Sequence, residues 1–352
     1  MSLIKEMNFV KSTPHCIQCS VLIIPIIIFF FLFFDLHTNL KPGFQFSLHR
    51  STAPKEKELL ILLWTWPFGE RFPFSRGHIE GSSCMLTDDR RLLSLADAVI
   101  IHHRDVSLSK ELLPKFPRPN KQYWIWFNME SPSHVTNLAM MDNLFNLTMT
   151  YRADSDIVTP YGWLEKHNCP QNISIPAKER LVAWVISNWN PLDDRCKYYK
   201  ALKNYVDIDV YGKYHKPLPK YYQSSVLSKY KFYLAFENSV DRDYITEKLW
   251  TNAFLSRTVP IVLGPPRKNY ERFIPGDSFI HVDDFSNSRE LSAYILELDK
   301  DDQRYNAYFQ WTSWLRPVTV LNWTEYFCKA CNTLEQTQSY RTIPSLTVWF
   351  KN

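Results

Sequence analysis

Short, continuous runs of apolar residues mark the first folded part of the chain. Three of them read ELLILLWTW at 58–66, DAVIIHH at 97–103 and QYWIWF at 122–127. Because successive positions are apolar, both faces of each predicted strand are apolar. This pattern is typical of central strands in a parallel sheet, which is covered on both sides.

From Arg180 onward, strand patterns alternate regularly with helix patterns. The predicted strands are 181–187, 207–212, 231–236, 258–264 and 278–284, and the predicted helices are 193–203, 243–256 and 287–299. The last helix opens with Asn287 as N-cap and Glu290 three residues later, a capping arrangement. This alternation predicts β-α-β units. We therefore expect an α/β protein with two Rossmann-like, doubly wound domains that face a cleft and join near 175–180.

The N-terminus carries a different kind of segment, an uncharged run of 19 residues at 16–34. Its length is just enough to span a bilayer as a helix. A cleaved signal peptide is the alternative, but the run is long and no small-residue cleavage site follows it. We expect a cytoplasmic tail at 1–15, a transmembrane signal-anchor at 16–34 and a stem at 36–58. The flanking basic residues favour this orientation only weakly.

Three N-glycosylation sequons support a luminal location for the bulk of the chain. They begin at Asn146, Asn172 and Asn322. Together with the anchor, they predict a single-pass type II membrane glycoprotein. The short span favours the thin membrane of an early secretory compartment such as the Golgi apparatus.

Composition disfavours several classes of function. The 352 residues carry a net charge of +5 that is not gathered into a basic block. This charge suits a small anionic ligand, and we expect no nucleic-acid partner. Because neither GxGxxG nor a P-loop motif occurs, a dinucleotide dehydrogenase and a P-loop enzyme are disfavoured. A zinc site at Cys328 and Cys331 is disfavoured because no second ligand pair has suitable spacing.

Polar residues gather where the strand 231–236 passes into the next helix. They are Glu237, Asn238 and Ser239. We expect the helix to begin near Tyr244 with Asp243 as N-cap, and ligands of doubly wound sheets bind at such strand ends. Tyr244 and Lys248 would share one helix face. Lys248 suits a phosphate, and Glu237 or Glu247 suits ribose hydroxyls; the alternative is a solvated Glu–Lys pair.

A second polar cluster follows the strand 181–187. It consists of Ser187, Asn188 and Arg195. The planar guanidinium of Arg195 suits a phosphate group. Because carboxyl ends of parallel strands meet at one edge of a sheet, Arg195 and Lys248 together predict a clamp for a diphosphate.

Several segments resemble the α-1,3-fucosyltransferases. The stretch FYLAFENSVDRDYITEKLWTNAF is similar to the donor-site motif of that family, and it is highly specific. Other segments follow in the family's order: LLWTWPFGE, IIHHRDVS, YWIWFNMESPSH, LFNLTMTYRADSDI, ISNWNP and VPIVLGPPRKNYERFIPGDSFIHVDDF. The resemblance runs from about Leu59 to Cys331 and is strongest to the Lewis x-forming branch that contains fucosyltransferase 9.

This resemblance implies a GT-B fold with an acceptor-binding domain at 59–178 and a GDP-fucose-binding domain at 179–327. A C-terminal segment at 328–352 would fold back on the first domain. The implied reaction moves L-fucose from GDP-β-L-fucose, with inversion, to O3 of N-acetylglucosamine in N-acetyllactosamine glycans of glycoproteins and glycolipids. No cofactor is required, and a divalent metal is at most stimulatory. The alternative is a catalytically silent glycan-binding protein on the same fold; monomer and homodimer both stay open.

The resemblance also assigns roles to individual residues. It implies donor binding by Ser187, Asn188, Arg195, Tyr233, Glu237, Asn238, Tyr244, Glu247 and Lys248. It implies acceptor binding by Phe68, Glu70, Trp126, Asn128 and Glu130. It also implies a disulfide between Cys84 and Cys331.

Inversion requires a general base on the acceptor side, opposite the leaving group. Glu130 is our candidate, because it follows a central strand and the matching family glutamate has this role. The rivals are Asp105, His102 and His103. Two D-x-D strings, at 154–156 and 207–209, are typical of metal-dependent transferases, but this spacing occurs often by chance and we expect no metal there.

Overall fold

The computed structural model describes residues 58–69, 71, 77–78, 84–115, 117–320 and 323–352. The predicted tail, anchor and nearly all of the stem lie outside these residues, as do Glu70 and Asn322. Within the described part of the chain, no helix has both the length and the apolar character needed to cross a membrane.

The N-terminal half is built on a sheet of seven strands. In chain order they are β1 (Leu59–Leu63), β2 (Gly77–His78), β3 (Cys84–Thr87), β4 (Ala98–His102), β5 (Tyr123–Asn128), β6 (Leu147–Thr150) and β7 (Ile157–Val158). Their spatial order is β2-β3-β1-β4-β5-β6-β7, and all pairs except β2–β3 are parallel. The continuous apolar runs of β1, β4 and β5 occupy the middle of this sheet, as their pattern predicts.

The C-terminal half contains a second, fully parallel sheet. Its strands are β9 (Arg180–Val185), β10 (Ile208–Tyr211), β11 (Tyr230–Phe236), β12 (Val259–Leu263) and β13 (Ile280–His281), in the order β10-β9-β11-β12-β13. Between and after the two sheets, β8 (Gly162–Lys166) and β14 (Leu315–Thr319) form an antiparallel pair. The predicted strands of this half are thus confirmed.

Helices cover the sheets or connect their strands. They are α1 (His103–Val106), α2 (Asp194–Leu202), α3 (Gln223–Leu227), a π-helix (Lys248–Phe254), α4 (Arg267–Tyr270), α5 (Ser288–Leu298), α6 (Asp302–Ala307), α7 (Thr324–Gln336) and α8 (Leu346–Lys351). Short 3₁₀ turns lie at Pro67–Gly69, Arg90–Leu92, Lys110–Leu112, Pro132–His134, Leu138–Met141, Lys220–Tyr222, Val282–Asp284 and Gln310–Ser313. Asn287 caps α5 as expected, accepting from two backbone N–H groups.

The helix predicted at 243–256 differs from the one observed. It begins at Lys248 and is a π-helix, a form that is rare and frequently found at functional sites. Asp243 is not an N-cap: it is buried with a φ of 60°, and its carboxylate accepts hydrogen bonds from Ala153, Asn269 and Arg272. The shared helix face predicted for Tyr244 and Lys248 is therefore wrong, because Tyr244 precedes the helix.

The C-terminal segment lies against the N-terminal sheet. Helix α7 joins the core of that half, and the expected disulfide links Cys331 to Cys84. Helix α8 buries Leu346 and Phe350 in the same core. The predicted boundary between 327 and 328 falls inside α7, so this segment starts earlier than expected.

Candidate active site

The carboxyl ends of β9 and β11 open into a cavity of about 720 Å³. Residues from four different chain segments form its walls, including the helices that follow these strands. The lining residues are Val185, Ile186, Ser187, Asn188, Arg195, Lys220, Gln223, Ser224, Asn238, Glu247, Lys248, Thr251, Asn252, Ser256, Thr319 and Val320. Six of the nine predicted donor-binding residues are thus brought together.

Lys248 is the cation at the start of the π-helix. Its Nζ lies 2.9 Å from a carboxylate oxygen of Glu237, whose side chain is 1% exposed. Thr246 donates hydrogen bonds to the same carboxylate from its backbone N–H, at 2.8 Å, and from its hydroxyl. Although burial lowers the pKa of Lys248, Glu237 and Glu247 outweigh this effect and raise it above its ordinary value. Lys248 is therefore a fixed, permanently charged ammonium group at the cavity wall.

Glu247 differs from Glu237 in its exposure, with 52% of its side chain accessible. Desolvation opposes ionisation, but the neighbouring charge of Lys248 lowers the pKa of Glu247 below its ordinary value. Its carboxylate is therefore ionised and accessible. Such a group can accept hydrogen bonds from hydroxyls of a ligand.

Arg195 is the second cation of the cavity, on the first turn of α2. Its side chain is 5% exposed, and one Nη donates to the carbonyl of Asn188 at 2.6 Å. Its Nε is buried without a hydrogen-bond partner among the described residues. A largely buried guanidinium with an unpaired N–H suits an anionic ligand.

Glu130 lies just past β5, on the side of the N-terminal half that meets the C-terminal half. The hydroxyl of the next residue, Ser131, accepts a hydrogen bond from Ser239 at 2.6 Å, which joins the ends of β5 and β11. The Glu130 side chain is 26% exposed and lies 3.5 Å from Arg104. Glu130 is therefore an accessible carboxylate at the junction of the two halves.

Two tyrosines place Glu130 near the carboxylates of the C-terminal half. Burial raises the pKa of Tyr244 and of Tyr161 well above the ordinary value, and Glu130, Glu237 and Glu247 raise both further. The hydroxyl of Tyr161 donates to the carbonyl of Met129, the residue before Glu130, at 2.6 Å, and the rings of Tyr161 and Tyr244 lie 6.3 Å apart. Asn238, which precedes Ser239, lines the cavity, so the Ser239–Ser131 hydrogen bond joins the edge of the cavity to the residue after Glu130.

Three predicted donor-binding residues do not line the cavity. The carboxylate of Glu237 is fully engaged by Lys248 and Thr246, so it positions the cation. Tyr233 is completely buried, and its hydroxyl accepts from Asn252 at 2.9 Å. Tyr244 is 3% exposed and packs its ring 5.1 Å from that of Tyr151. Their predicted direct contacts with the donor are corrected to supporting roles.

Two predicted acceptor-binding residues are core residues instead. Trp126 has no exposed surface, because Phe350 packs edge-on against it at 4.9 Å and its indole N–H donates to His103. Asn128 is also fully buried, and its amide donates to the backbone carbonyl of Glu130 at 2.7 Å. Asn128 therefore stabilises the turn that carries Glu130, and it is not exposed to bind a ligand.

Phe68 keeps an exposed surface in a strained turn. Its φ is 60°, unusual for an aromatic residue, and its ring is 36% exposed. The ring packs 4.8 Å from His102, and the guanidinium of Arg104 lies 5.2 Å from its centroid. Phe68 is thus accessible and adjacent to the partner of Glu130.

Of the three rival catalytic groups, the two histidines are buried, whereas Asp105 is 20% exposed and pairs with His102. His103 donates through Nε2 to the carbonyl of Thr136 and accepts from Trp126 through Nδ1, and burial lowers its pKa. This arrangement fixes a neutral, structural imidazole. His102 is fully buried, with Nδ1 at 2.7 Å from Asp105. Both imidazoles are buried, whereas the side chain of Glu130 is accessible.

Both aspartates of the first D-x-D string are hydrogen-bonded to other parts of the fold. Asp154 accepts from Arg152 at 2.9 and 2.7 Å, and Asp156 accepts from Thr148 and Arg341. In the second string, Asp209 is bound by Arg180 and Tyr230. These contacts are those of structural carboxylates.

The sequon at Asn146 is a further correction. Its side chain is fully buried; Oδ1 accepts from the backbone of Trp124, and Nδ2 donates to the carbonyl of Arg341. The folded protein has no room for a glycan on this nitrogen. Asn172 lies exposed in an irregular segment and stays a candidate.

Sequence reasoning missed the neutral side chains of the cavity. They are Gln223, Ser224, Thr251, Asn252 and Ser256, together with Lys220. Thr251 and Asn252 follow Lys248 at three and four residues, so the helical spacing of the motif could have indicated them. Nothing in the sequence indicated α3, because its short amphipathic pattern is weak.

This geometry is that of an enzyme or binding protein for an anionic, phosphate-bearing ligand. The comparisons define the class. The model of glycosyltransferase family 10 (fucosyltransferase), C-terminal, matches residues 175–349, and that of fucosyltransferase, N-terminal, matches 56–162. The chain belongs to this family and is by class a fucosyltransferase.

Known proteins of this family align with most of the chain. Similar proteins include 3-galactosyl-N-acetylglucosaminide 4-alpha-L-fucosyltransferase FUT3 of Homo sapiens, 51% identical over 86% of this chain and 86% of its own. Another is 4-galactosyl-N-acetylglucosaminide 3-alpha-L-fucosyltransferase FUT6 of Homo sapiens, 52% identical over 85% of this chain and 84% of its own. The solved structure "Crystal Structure of alpha1,3-Fucosyltransferase with GDP-fucose" matches the fold with a TM-score of 0.52 and 18% identity, over 84% of this chain and 96% of that chain.

Proposed function

We propose that this fucosyltransferase moves L-fucose from GDP-β-L-fucose, with inversion, to O3 of N-acetylglucosamine in N-acetyllactosamine glycans, forming Lewis x on glycoproteins and glycolipids. The observation that carries the proposal is the pair of cations at one cavity. Arg195 and Lys248 both line it, and each is largely buried. Such a pair stabilises the charge that develops on the departing diphosphate.

The donor orientation follows from the charges. Arg195 and Lys248 bind the diphosphate, while the accessible carboxylate of Glu247 accepts from ribose hydroxyls. Asn238 and Ser187 line the same cavity and add neutral hydrogen bonds. The positive groups need no reorganisation at the moment of reaction, because the fold already holds them.

Glu130 acts as the general base in this proposal. It is accessible and directly precedes Ser131, whose hydrogen bond with Ser239 joins the two halves. In an inverting transfer, Glu130 takes the proton of the acceptor hydroxyl as that oxygen bonds to the fucose carbon and the bond to GDP breaks. The exposed ring of Phe68 offers an apolar surface for an acceptor sugar. The cations take the charge on GDP, so we propose a chemistry without a required metal.

In the cell we propose a single-pass type II protein of the Golgi membrane with its catalytic part in the lumen. The uncharged run at 16–34, the sequon at Asn172 and the Cys84–Cys331 disulfide support this placement. The disulfide belongs to an oxidising compartment.

A donor and acceptor panel tests the proposal. The purified chain is incubated with GDP-fucose or GDP-mannose and with type 1 or type 2 lactosamine, in excess EDTA and without it. We expect transfer from GDP-fucose to type 2 lactosamine, an α-1,3 linkage by NMR and activity that survives EDTA. A 4-linked product, or loss of all transfer with EDTA, would contradict it.

A further inference from the structure

One wall of the cavity consists of neutral hydrogen-bonding side chains. They are Gln223 and Ser224 from α3, and Thr251, Asn252 and Ser256 from the π-helix and its end. Asn252 follows Lys248 by about one turn of that helix. If Lys248 binds the diphosphate, this wall stands beside the nucleoside part of the donor.

A chain of hydrogen bonds fixes two amides in this wall. Asn252, 5% exposed, donates through Nδ2 to the hydroxyl of Tyr233 at 2.9 Å. Its Oδ1 accepts from Nε2 of Gln223 at 2.5 Å. Because Tyr233 is completely buried, this chain of hydrogen bonds ties the position of both amides to the core.

The pairing leaves an acceptor at the cavity. Nε2 of Gln223 is engaged by Asn252, while no hydrogen bond within the described residues reaches its Oε1. An amide oxygen held in this way suits a donor on the ligand. The Watson–Crick edge of guanine offers N–H donors at N1 and at the 2-amino group, whereas adenine has an unprotonated N1, no 2-amino group, and its one donor, the 6-amino group, where guanine carries an oxygen.

We propose that Gln223 reads the base of the nucleotide and selects guanine over adenine, with Asn252 as the positioning residue that holds its amide. This inference rests on the proposed function, because it takes the cavity as the donor site. The fold thereby separates two tasks: the cations hold the diphosphate of any nucleotide, and the amide pair selects the base.

Isothermal titration calorimetry with GDP and ADP tests the assignment on the full chain. We expect the wild type to bind GDP more tightly than ADP. In Gln223→Ala, the Kd for GDP rises about tenfold while the Kd for ADP changes little, since one hydrogen bond to the base is lost. In Asn252→Ala the GDP-to-ADP preference shrinks as well, because the amide of Gln223 loses its anchor.

Two variants keep the test decisive. Gln223→Met keeps the length of the side chain but has no amide oxygen, so it should lose the preference for GDP as Gln223→Ala does while the Kd for ADP changes little; a variant that binds both nucleotides in the wild-type ratio would contradict the base-reading role. Gln303→Ala, on the exposed face of α6, is the matched control and changes neither Kd.

The two failures are distinguishable. If Gln223→Ala binds GDP and ADP in the wild-type ratio, the base-reading role is wrong and the proposed function stands. If the wild-type chain binds no GDP, the proposed function fails and this inference fails with it.

Discussion

The two parallel sheets end in very different surfaces. At the ends of β4 and β5, the chemistry-bearing side chains are buried: His102, His103, Trp126 and Asn128 are each at most 1% exposed. At the ends of β9 and β11, the sheet opens into a cavity of about 720 Å³. The cavity thus opens at the strand ends that the following segments leave uncovered, while at the end of β5 the accessible carboxylate is that of Glu130, two residues past the strand.

The charges of the two regions also differ in how they are held. Lys248 is 13% exposed and is fixed by the buried carboxylate of Glu237. Glu130 faces Arg104, whose side chain is 61% exposed, across 3.5 Å. The cation of the C-terminal half is thus held in place by a buried partner, while the carboxylate of the N-terminal half is accessible and paired with an exposed arginine.

Lys248→Met should have the largest effect, because it removes the fixed cation of the cavity in the C-terminal half. Transfer should fall by more than about 10²-fold. Stability should drop by about 3–5 kcal/mol, since Glu237 is left as an uncompensated buried charge. Steady-state kinetics and urea unfolding measure both. The double variant with Glu237→Gln should recover stability but not activity; recovery of both would show that the charge has no role in transfer.

Glu130→Gln removes the charge of the accessible carboxylate in the N-terminal half and should lower the rate of transfer without lowering stability. We expect transfer to fall by about 10²–10⁴-fold, with stability changed by less than about 0.5 kcal/mol. Calorimetry should show unchanged GDP affinity, because Glu130 does not line the cavity. Near-normal turnover in this variant would remove Glu130 from the mechanism.

Cys84→Ser tests how the N-terminal half depends on the C-terminal segment. The disulfide closes a separation of 247 residues, and its loss should cost about 2–5 kcal/mol of stability. Cys328→Ser is the control and should cost much less, because Cys328 is a free, partly exposed thiol. Equal midpoints of thermal unfolding for the two variants would contradict this expectation.

Lys178 lies at the joint between the halves, and we expect its titration to make the stability of the protein depend on pH. Its Nζ donates to the carbonyls of Ser228 and Arg257, and burial lowers its pKa to about 8. The unfolded chain therefore binds more protons than the folded one between about pH 8 and 10.5, so the free energy of unfolding rises across that window, by at most about 1.4 kcal/mol per pH unit. In Lys178→Met this part of the rise should vanish. Identical pH profiles of unfolding would show that Lys178 does not titrate in this way.

The smallest expected effect concerns glycans. Asn172→Gln should lower the mass of the secreted chain by one N-glycan, as seen by gel mobility with and without glycosidase. Asn146→Gln should produce no glycan shift, because Asn146 is buried and hydrogen-bonded. A glycan found at Asn146 would mean that this edge of the N-terminal sheet differs from the structure.

The pattern of the chain was sufficient for much of the fold. Continuous apolar runs predicted the central strands β1, β4 and β5, and the alternation after Arg180 predicted β9 to β13 and the helices α2 and α5, whereas the helix predicted at 243–256 is a π-helix that begins only at Lys248. The charged residues after β9 and β11 could be grouped in advance, because carboxyl ends of neighbouring parallel strands meet at one edge.

What the sequence by itself determined is therefore the positions of the central strands along the chain, the class of protein and the two cations of the cavity, since these depend on local periodicity and on a specific motif. Tertiary structure alone decided which polar groups are covered. Trp126 is buried by Phe350, and Asn146 is bound by Arg341, from segments about 200 residues away. It also decided that the π-helix begins at Lys248 and that Gln223 meets Asn252, because such contacts depend on packing between segments that no local pattern encodes.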